Sequence, residues 1–463
     1  MESLVKAAIT YRLIVTRRNG SEILLLPNGP RWTLPRVEID PQQRCAEQLT
    51  AEVRRAWGLE TYCLLVPGLP LSNAGEEPKC AAMESTRQND RVPAGAFWIS
   101  RRRAAASLEP AEAQLIREML RELTAYATNE KPGPFARPGW LRDLCRWVEG
   151  QLAPFGLRLT GGIRQLNASP TFSLIRLETD REAVWFKATR EPNSHELRVT
   201  VALARLFPGH IPSILGVHPS WNGWLSEEVA GVPLAEIAEF PAWERAAEGL
   251  AELQIASIGK TAELIEAQAK DLRIPRLAER IDPFLTRMKE VMAAQEKPAP
   301  APLVESEIAT LAEGLKESCR LLEAFGLPNT LGHVDVNPGN ILVSADRCVF
   351  LDWAEACVGN PLLTFEYLCQ HMARSGIAKP AAADHLASAY LRPWLSFHSP
   401  EDLRRALALA PLVAVFAYAL ANESWRSPEL VRNPPLAGYF RSLTRRMYRE
   451  AIQAAGRSEL CLS

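Results

Sequence analysis

Residues 331–342 read LGHVDVNPGNIL, and residues 349–354 read VFLDWA. His333, Asp335, Asn337, Pro338, Gly339 and Asn340 fall within eight residues, and an apolar run resumes at Ile341. Asp, Asn, Pro and Gly are the residues of tight turns, so the segment reads first as a polar connection into a strand. It also carries more metal-ligating and proton-accepting side chains than a turn requires. The rest of the chain decides between a turn and a catalytic loop.

The chain has 463 residues, more than one hydrophobic core usually serves, so two or three domains are expected. A hydrophobic fraction of 47% is ample for packed cores. The net charge of -1 argues against a nucleic-acid partner or an anionic membrane surface, where a basic bias is expected. Nine scattered cysteines, odd in number and without a CxxC pair, fit the reduced thiols of a cytoplasmic protein better than disulfides or zinc. The start, MESLVKAAITYRLIVTRRNG, lacks the pattern of a cleaved secretory signal. The longest apolar run, Ala406–Ala421, contains Pro411 and is shorter than the ~20 residues of a membrane span, so a buried helix is expected there. Oligomeric state is not legible.

Residues 1–127 read as an α+β unit. Ile9–Val15 alternates, Asn19-Gly20 signals a turn, and Ile23–Leu26 follows as a second strand. A helix over 42–57 stops at Gly58, and Ala111–Ala127 is another. TNEKPGPFARPGW, residues 128–140, reads as a linker. An amphipathic helix, Trp140–Leu152, opens a zone of strands at Thr171–Leu177, Ala183–Ala188, Ile211–Val217 and Gly223–Val229, with a helix at Glu196–Phe207 among them. From Pro233 the chain is helical, strand character returning only around 331–352, and KPAPAP at 297–302 is a short linker between helices.

Phosphoryl transfer is catalysed mainly by positioning and by cations around the phosphates. A strand lysine can hold the α and β phosphates, a helix carboxylate can hold that lysine, and an aspartate can accept the proton of the attacking hydroxyl. An asparagine and a second aspartate can supply the oxygen ligands magnesium prefers. The chain offers these parts in order: Lys187 in VWFKA, Glu196 opening the next helix, Asp335 and Asn340 in HVDVNPGN, and Asp352 after an apolar strand. The Asp-x4-Asn spacing is that of kinase catalytic loops. Singly, each has a plainer reading. Lys187 could snorkel to solvent, Glu196 could favour a helix N-terminus, and Asp335 and Asn340 could be turn residues. The conjunction favours the catalytic loop.

On these motifs residues 155–440 resemble the aminoglycoside phosphotransferase family of kinase-like enzymes. That family shows His-Gly-Asp-x-His-Pro-x-Asn-Ile-Leu and later Ile-Asp-Trp, and His333, Asp335, Pro338, Asn340, Asp352 and Trp353 fall on the pattern. The resemblance implies ATP in a cleft between two lobes, Asp335 as catalytic base, and Asn340 and Asp352 as magnesium ligands. It also implies a hinge at Glu227–Val229 that meets adenine through backbone groups. Val334 replaces the family's glycine, Asn337 its second histidine, and Asn360 the aspartate of Gly-Asp-Pro. The expected phosphate loop, QLNASPT at 165–171, lacks Gly-x-Gly, leaving backbone amides and the hydroxyls of Ser169 and Thr171 to meet phosphate.

Residues 32–60 resemble a Nudix box aligned on Gly58 and Leu59. Glu52 keeps one glutamate, Ala51 replaces the arginine, and Arg55 and Ala56 replace the two metal-binding glutamates. A cation site does not survive that exchange, so the reading is a Nudix-like fold used for binding or packing, or an unrelated α+β domain. The expected fold class is thus α+β: a Nudix-like domain (1–127), a linker (128–140), and a two-lobed protein-kinase-like domain with an N-lobe (141–232) and a mostly helical C-lobe (233–463). The expected function is ATP- and magnesium-dependent phosphate transfer to a hydroxyl of a small molecule. Glu355 and Glu366 could meet a cationic substrate or be solvated surface charges. A pseudokinase that binds nucleotide or a partner without catalysis is the alternative. A protein kinase fits less well, since no Ala-Pro-Glu follows Asp352.

Overall fold

The computed structural model describes residues 8–66, 79–87, 92–93, 95–377 and 381–461. The chain divides into two units, Met1–Leu197 with Ile214–Glu228, and Arg198–Ser213 with Val229–Ser463.

The first unit opens with β1 (Ile9–Arg17), β2 (Glu22–Asn28), β3 (Arg31–Thr33), β4 (Arg36–Ile39), α1 (Cys45–Trp57), β5 (Thr61–Leu65), β6 (Lys79–Ser85), β7 (Phe97–Ser100), α2 (Arg101–Ser107) and α3 (Pro110–Ala127). The strands form a seven-stranded mixed sheet of order β3-β2-β1-β6-β5, with β4 also on β1, β7 on β2, and β1 parallel to β6. Alternation along β1 decides what each face buries. Tyr11, Leu13 and Val15 join Leu49 and Val53 of α1 in one core, while Ile14 points into a second core with Ile116, Leu120 and Leu123 of α3. Gly58 ends α1 in the left-handed conformation, φ 66°, its N–H on the Arg54 carbonyl at 2.8 Å, as its position after an apolar helical run predicts.

Next come α4 (Trp140–Leu152), β8 (Leu159–Gln165), β9 (Ser173–Thr179), β10 (Val184–Ala188), β11 (Ile214–His218) and β12 (Gly223–Glu227), while α5 (Glu196–Leu206) starts in this unit and passes into the second at Arg198. The strands form an antiparallel sheet of order β11-β12-β10-β9-β8. Its inward residues Ile175, Leu177, Phe186 and Leu225 belong to the same core as α3 and α4. Segment 128–140 contributes to that core as well: Phe135, Ala136 and Trp140 are buried, with the Phe135 and Trp140 rings edge-on at 5.1 Å. Glu84, itself buried, accepts the Gly139 N–H at 2.6 Å and the Tyr62 hydroxyl, which fixes the start of α4. Strand β8 lies before the zone in which strands were expected. Its two glycines hide it, because glycine weakens any strand pattern.

The second unit holds β13 (Val232–Pro233), α6 (Phe240–Ala256), α7 (Thr261–Glu266), β14 (Lys270–Leu272), α8 (Ile274–Ala278), α9 (Ile281–Ala293), α10 (Glu305–Ala324), β15 (Thr330–His333), β16 (Ile341–Val343), β17 (Cys348–Phe350), β18 (Ala356–Gly359), α11 (Pro361–Arg374), α12 (Ala382–Leu391), α13 (Pro400–Ala421) and α14 (Pro434–Cys461). Two small sheets, β13-β16-β17 and β14-β18-β15, frame the 331–352 segment. The expectation that strands return only there is corrected by β13, β14 and β18, strands of two to four residues, too short to show a period of two. Helix α13 is longer than the apolar run within it, and by length and composition it suffices to cross a membrane. Within this unit 67% of its apolar window is buried, and it packs against α10, α11 and α14 as a core helix. Cys45, Cys63, Cys80, Cys145, Cys319, Cys348, Cys357 and Cys369 are free.

Candidate active site

In the first unit, β10 buries Val184, Phe186 and Ala188 and turns Trp185 and Lys187 to the opposite face. Lys187 lies between Leu174 of β9 and Trp224 of β12 in register. Its Nζ is 2.5 Å from Glu196 Oε1 and 5.7 Å from the centre of the Trp224 ring. The Glu196 side chain is 1% exposed and that of Lys187 15%. A carboxylate at that depth is costly unless a cation and hydrogen bonds compensate, so the pair fixes both side chains.

The other two nucleotide-site candidates of this unit occupy contrasting ground. In the loop after β8, the Thr171 N–H donates to Ser169 Oγ at 3.3 Å, and Asn167 Oδ1 accepts the Leu174 N–H at 2.7 Å. The hydroxyl of Ser169 thus shapes the loop itself. At the far end of β12 stand Glu227 and Glu228, after which the chain passes to the second unit at Val229. Glu228 makes a two-bond ion pair with Arg176 of β9, at 2.6 and 2.8 Å, and this guanidinium holds its carboxyl below the usual range.

In the second unit the 333–352 region is tied together by one imidazole. His333 Nδ1 accepts the Asp335 N–H at 3.1 Å, so its Nε2 carries the proton and donates to the Asp352 carbonyl at 2.7 Å. The His333 N–H in turn donates to Thr364 Oγ1 of α11 at 2.9 Å. Gly332 is needed there: a Cβ would lie 2.8 Å from Thr364 Oγ1 and 2.9 Å from Cys357 Sγ. Asp352 sits in the left-handed region at φ 63°, a conformation that Asp tolerates better than most residues. Its Oδ2 is 3.4 Å from Asn340 Nδ2. The departures from the family pattern have local tasks. Val334 is buried in the core, Asn337 Oδ1 accepts the Gly339 N–H at 2.8 Å, and Asn360 Oδ1 caps α11 by accepting the Leu362 N–H at 3.1 Å.

Asp335, whose side chain is 46% exposed, faces His371 of α11, with Oδ1 and Nε2 3.7 Å apart. The imidazole beside it holds the Asp335 carboxyl below the usual carboxylate range, against burial and the Asp352 charge, which push it up. Thr364 and His371 are seven residues apart, two helical turns, and so share the face of α11 that meets the loop. Sequence reasoning missed His371. The available signal was its place three or four residues beyond the buried Tyr367 and Leu368, on the face that also carries Thr364.

Asn340 and Asp352 offer one amide and one carboxylate, side by side. Magnesium bound through one or two protein oxygens takes its remaining ligands from phosphate and water, and this donor set fits it. With the amide turned, Asn340 presents oxygen beside the Asp352 carboxylate.

A strand lysine paired with a buried helix glutamate, then an Asp-x4-Asn loop and a strand-end aspartate, in α+β structure followed by a mostly helical part, belongs to the kinase-like class of fold. Residues 191–409 match the model of the phosphotransferase enzyme family. No curated protein matches the chain. Among solved structures, the chain is similar to a choline/ethanolamine kinase family protein from Mesorhizobium loti, at 16% identity over 67% of this chain and 98% of the other, with a TM-score of 0.44. A choline kinase from Cryptosporidium parvum shows 14% identity over 67% and 95%, with a TM-score of 0.45. The GDP and kanamycin complex of APH(2")-IIia shows 16% over 66% and 99%, with a TM-score of 0.43.

Proposed function

We propose that the chain is an ATP-dependent phosphotransferase acting on a hydroxyl group of a small molecule. The observation that carries this reading is the loop geometry: Asp335 held ionised beside His371, with Asn340 and Asp352 adjoining one another and His333 bridging to both ends. Lys187, fixed by Glu196, binds the α and β phosphates, and backbone groups at Glu227–Val229 meet adenine. Backbone amides and hydroxyls around Ser169 and Thr171 meet the remaining phosphate oxygens. Asn340 and Asp352 would hold magnesium, which when bound neutralises charge on the phosphates. Asp335 accepts the proton of the attacking hydroxyl as its oxygen bonds to the γ-phosphorus and ADP departs.

Residues 1–127 are read as Nudix-like without hydrolase activity. In α1, where a Nudix box holds its metal, Glu52 is engaged by Arg55 in an exposed ion pair. The free cysteines support a reducing, cytoplasmic setting. One observation favours the second reading, nucleotide binding without transfer: the loop after β8 has no glycine. A transfer screen with Mg-ATP over aminoglycosides, amino alcohols and sugars tests the main reading. Transfer to one class, abolished in Asp335→Ala, is expected. Wild-type protein with no thermal shift from Mg-ATP sinks it.

A further inference from the structure

The loop between β8 and β9, residues 166–172, contains no glycine and no residue with positive φ. Loops that wrap phosphate with backbone amides ordinarily draw on glycine for that freedom. Here the loop is gripped from outside, by segments that precede it in the chain. At its entry Gln165 is 4% exposed, and its side-chain amide makes a two-bond ring with Cys63. The Cys63 N–H donates to Oε1 at 2.7 Å, and Nε2 donates to the Cys63 carbonyl at 3.1 Å. The ring imitates an antiparallel strand pair on β5, the end strand of the seven-stranded sheet. In mid-loop, Ala168 packs on the core beneath α1. At the exit, the Pro170 carbonyl accepts the Phe135 N–H at 3.2 Å. Gly133 approaches the same residue so closely that a Cβ would come 2.6 Å from Pro170 Cβ and 2.9 Å from its carbonyl oxygen.

We propose that the seven-stranded sheet and the 133–135 turn are a positioning element of the nucleotide site. Gln165 on Cys63, and Gly133 and Phe135 on Pro170, hold the phosphate loop in its binding shape by fixed contacts where other loops rely on glycine. Gln165 is on this account a positioning residue that touches no nucleotide. The inference rests on the phosphotransferase reading, which makes 165–171 the phosphate loop. It gives the front of the chain a task in that reaction: without it the loop has the sequence but not the conformation to meet phosphate.

Calorimetric titration of the full chain with Mg-ATP and with adenosine tests it, because only the first ligand carries phosphates. In Gln165→Ala and in Gly133→Ala, the Kd for Mg-ATP rises about tenfold, the effect of one or two net hydrogen bonds, while the Kd for adenosine stays within about twofold of wild type. Unchanged Mg-ATP binding in both variants overturns the proposal. So does an equal loss of both ligands, which would mean general damage to the sheet. Wild-type protein that binds neither ligand refutes the phosphotransferase reading itself, and the proposal falls with it; variants equal to a wild type that does bind refute the proposal alone.

Discussion

Two candidate loops, 333–340 in the second unit and 165–171 in the first, are built on opposite principles. Residues 333–340 carry their chemistry in side chains and are held in part by their own neighbours, through His333 and Asn337, with Thr364 of α11 bonded to the His333 N–H. Residues 165–171 offer phosphate mainly backbone, and their holders lie far off in sequence, Cys63 being 102 residues before Gln165. Side-chain chemistry leaves a signature in residue types and spacing. Backbone chemistry leaves one only where glycine is required, and here the grip on the loop removes that requirement.

The largest effect belongs to the first loop. Asp335→Asn keeps the side chain's shape and removes the base, so the transfer rate falls about 10²–10⁴-fold with Mg-ATP affinity nearly intact. Asp352→Ala removes the carboxylate that adjoins Asn340, and magnesium-dependent strengthening of nucleotide binding disappears. A titration in which magnesium still tightens binding in that variant would show that the metal is held elsewhere. The two variants together separate base from metal ligand, which no single rate measurement does.

The next effect concerns stability. Lys187→Met leaves Glu196 buried without its cation, at a cost of about 3 kcal/mol to the first unit, seen as a lowered unfolding midpoint. Lys187→Met combined with Glu196→Leu recovers most of that stability, because an apolar pair needs no compensation. Nucleotide affinity stays low in both. If the double variant binds Mg-ATP like wild type, the pair is structural and the lysine has no phosphate to hold.

These residues also show how far the sequence could be read. Helices with strong periodicity and clear ends, α1, α3, α4 and α5, lie within a few residues of where their patterns put them. Lys187 and Glu196 were legible because each breaks an apolar or helical pattern in a way that asks for a partner, and the structure pairs them. Asn340 was singled out by its spacing from Asp335 and Asp352 by its place after an apolar strand, and the structure sets the two side chains 3.4 Å apart. The contacts of His371 and Gln165 were not, since neither breaks its local pattern. A histidine on a helix face and a glutamine at a strand end each have ordinary uses, and only the tertiary fold brings them to Asp335 and Cys63. Segment 128–140 misleads for a similar reason. Its prolines and glycines mark a change of direction, but Phe135 and Trp140 within it are core residues.

A smaller effect, on pH dependence, tests whether the catalytic loop reaches beyond its own neighbours. The Asp335 carboxyl lies below its usual range chiefly through His371. A lowered value keeps the base ionised as the pH falls, so wild-type turnover persists into mildly acidic solution. His371→Ala removes the largest influence that lowers the value and leaves His333 to act against burial and the Asp352 charge, so the value rises and the acid limb of the kcat profile moves to higher pH. The loss grows as the pH falls and is small near pH 8. An acid limb that does not move would leave His371 as packing for α11.

The smallest effect discriminates within the second loop. Arg164 precedes Gln165 on β8 and also reaches the seven-stranded sheet's layer, with its Nε 2.5 Å from Glu47 Oε1 of α1. The pair looks stronger than the Gln165 ring, since it joins full charges at shorter range. Its side chains are 58% and 31% exposed, however, and an exposed ion pair contributes about 0–1 kcal/mol after solvent screening and side-chain entropy. The Gln165 ring is buried, where an unmade hydrogen bond is costly. Arg164→Ala therefore leaves the Mg-ATP Kd within about twofold, whereas Gln165→Ala raises it. Should Arg164→Ala weaken binding as much, the grip would run through the charge on α1 and not through the strand-like ring on β5. The loop's shape would then depend on ionic strength, a dependence that buried hydrogen bonds do not share.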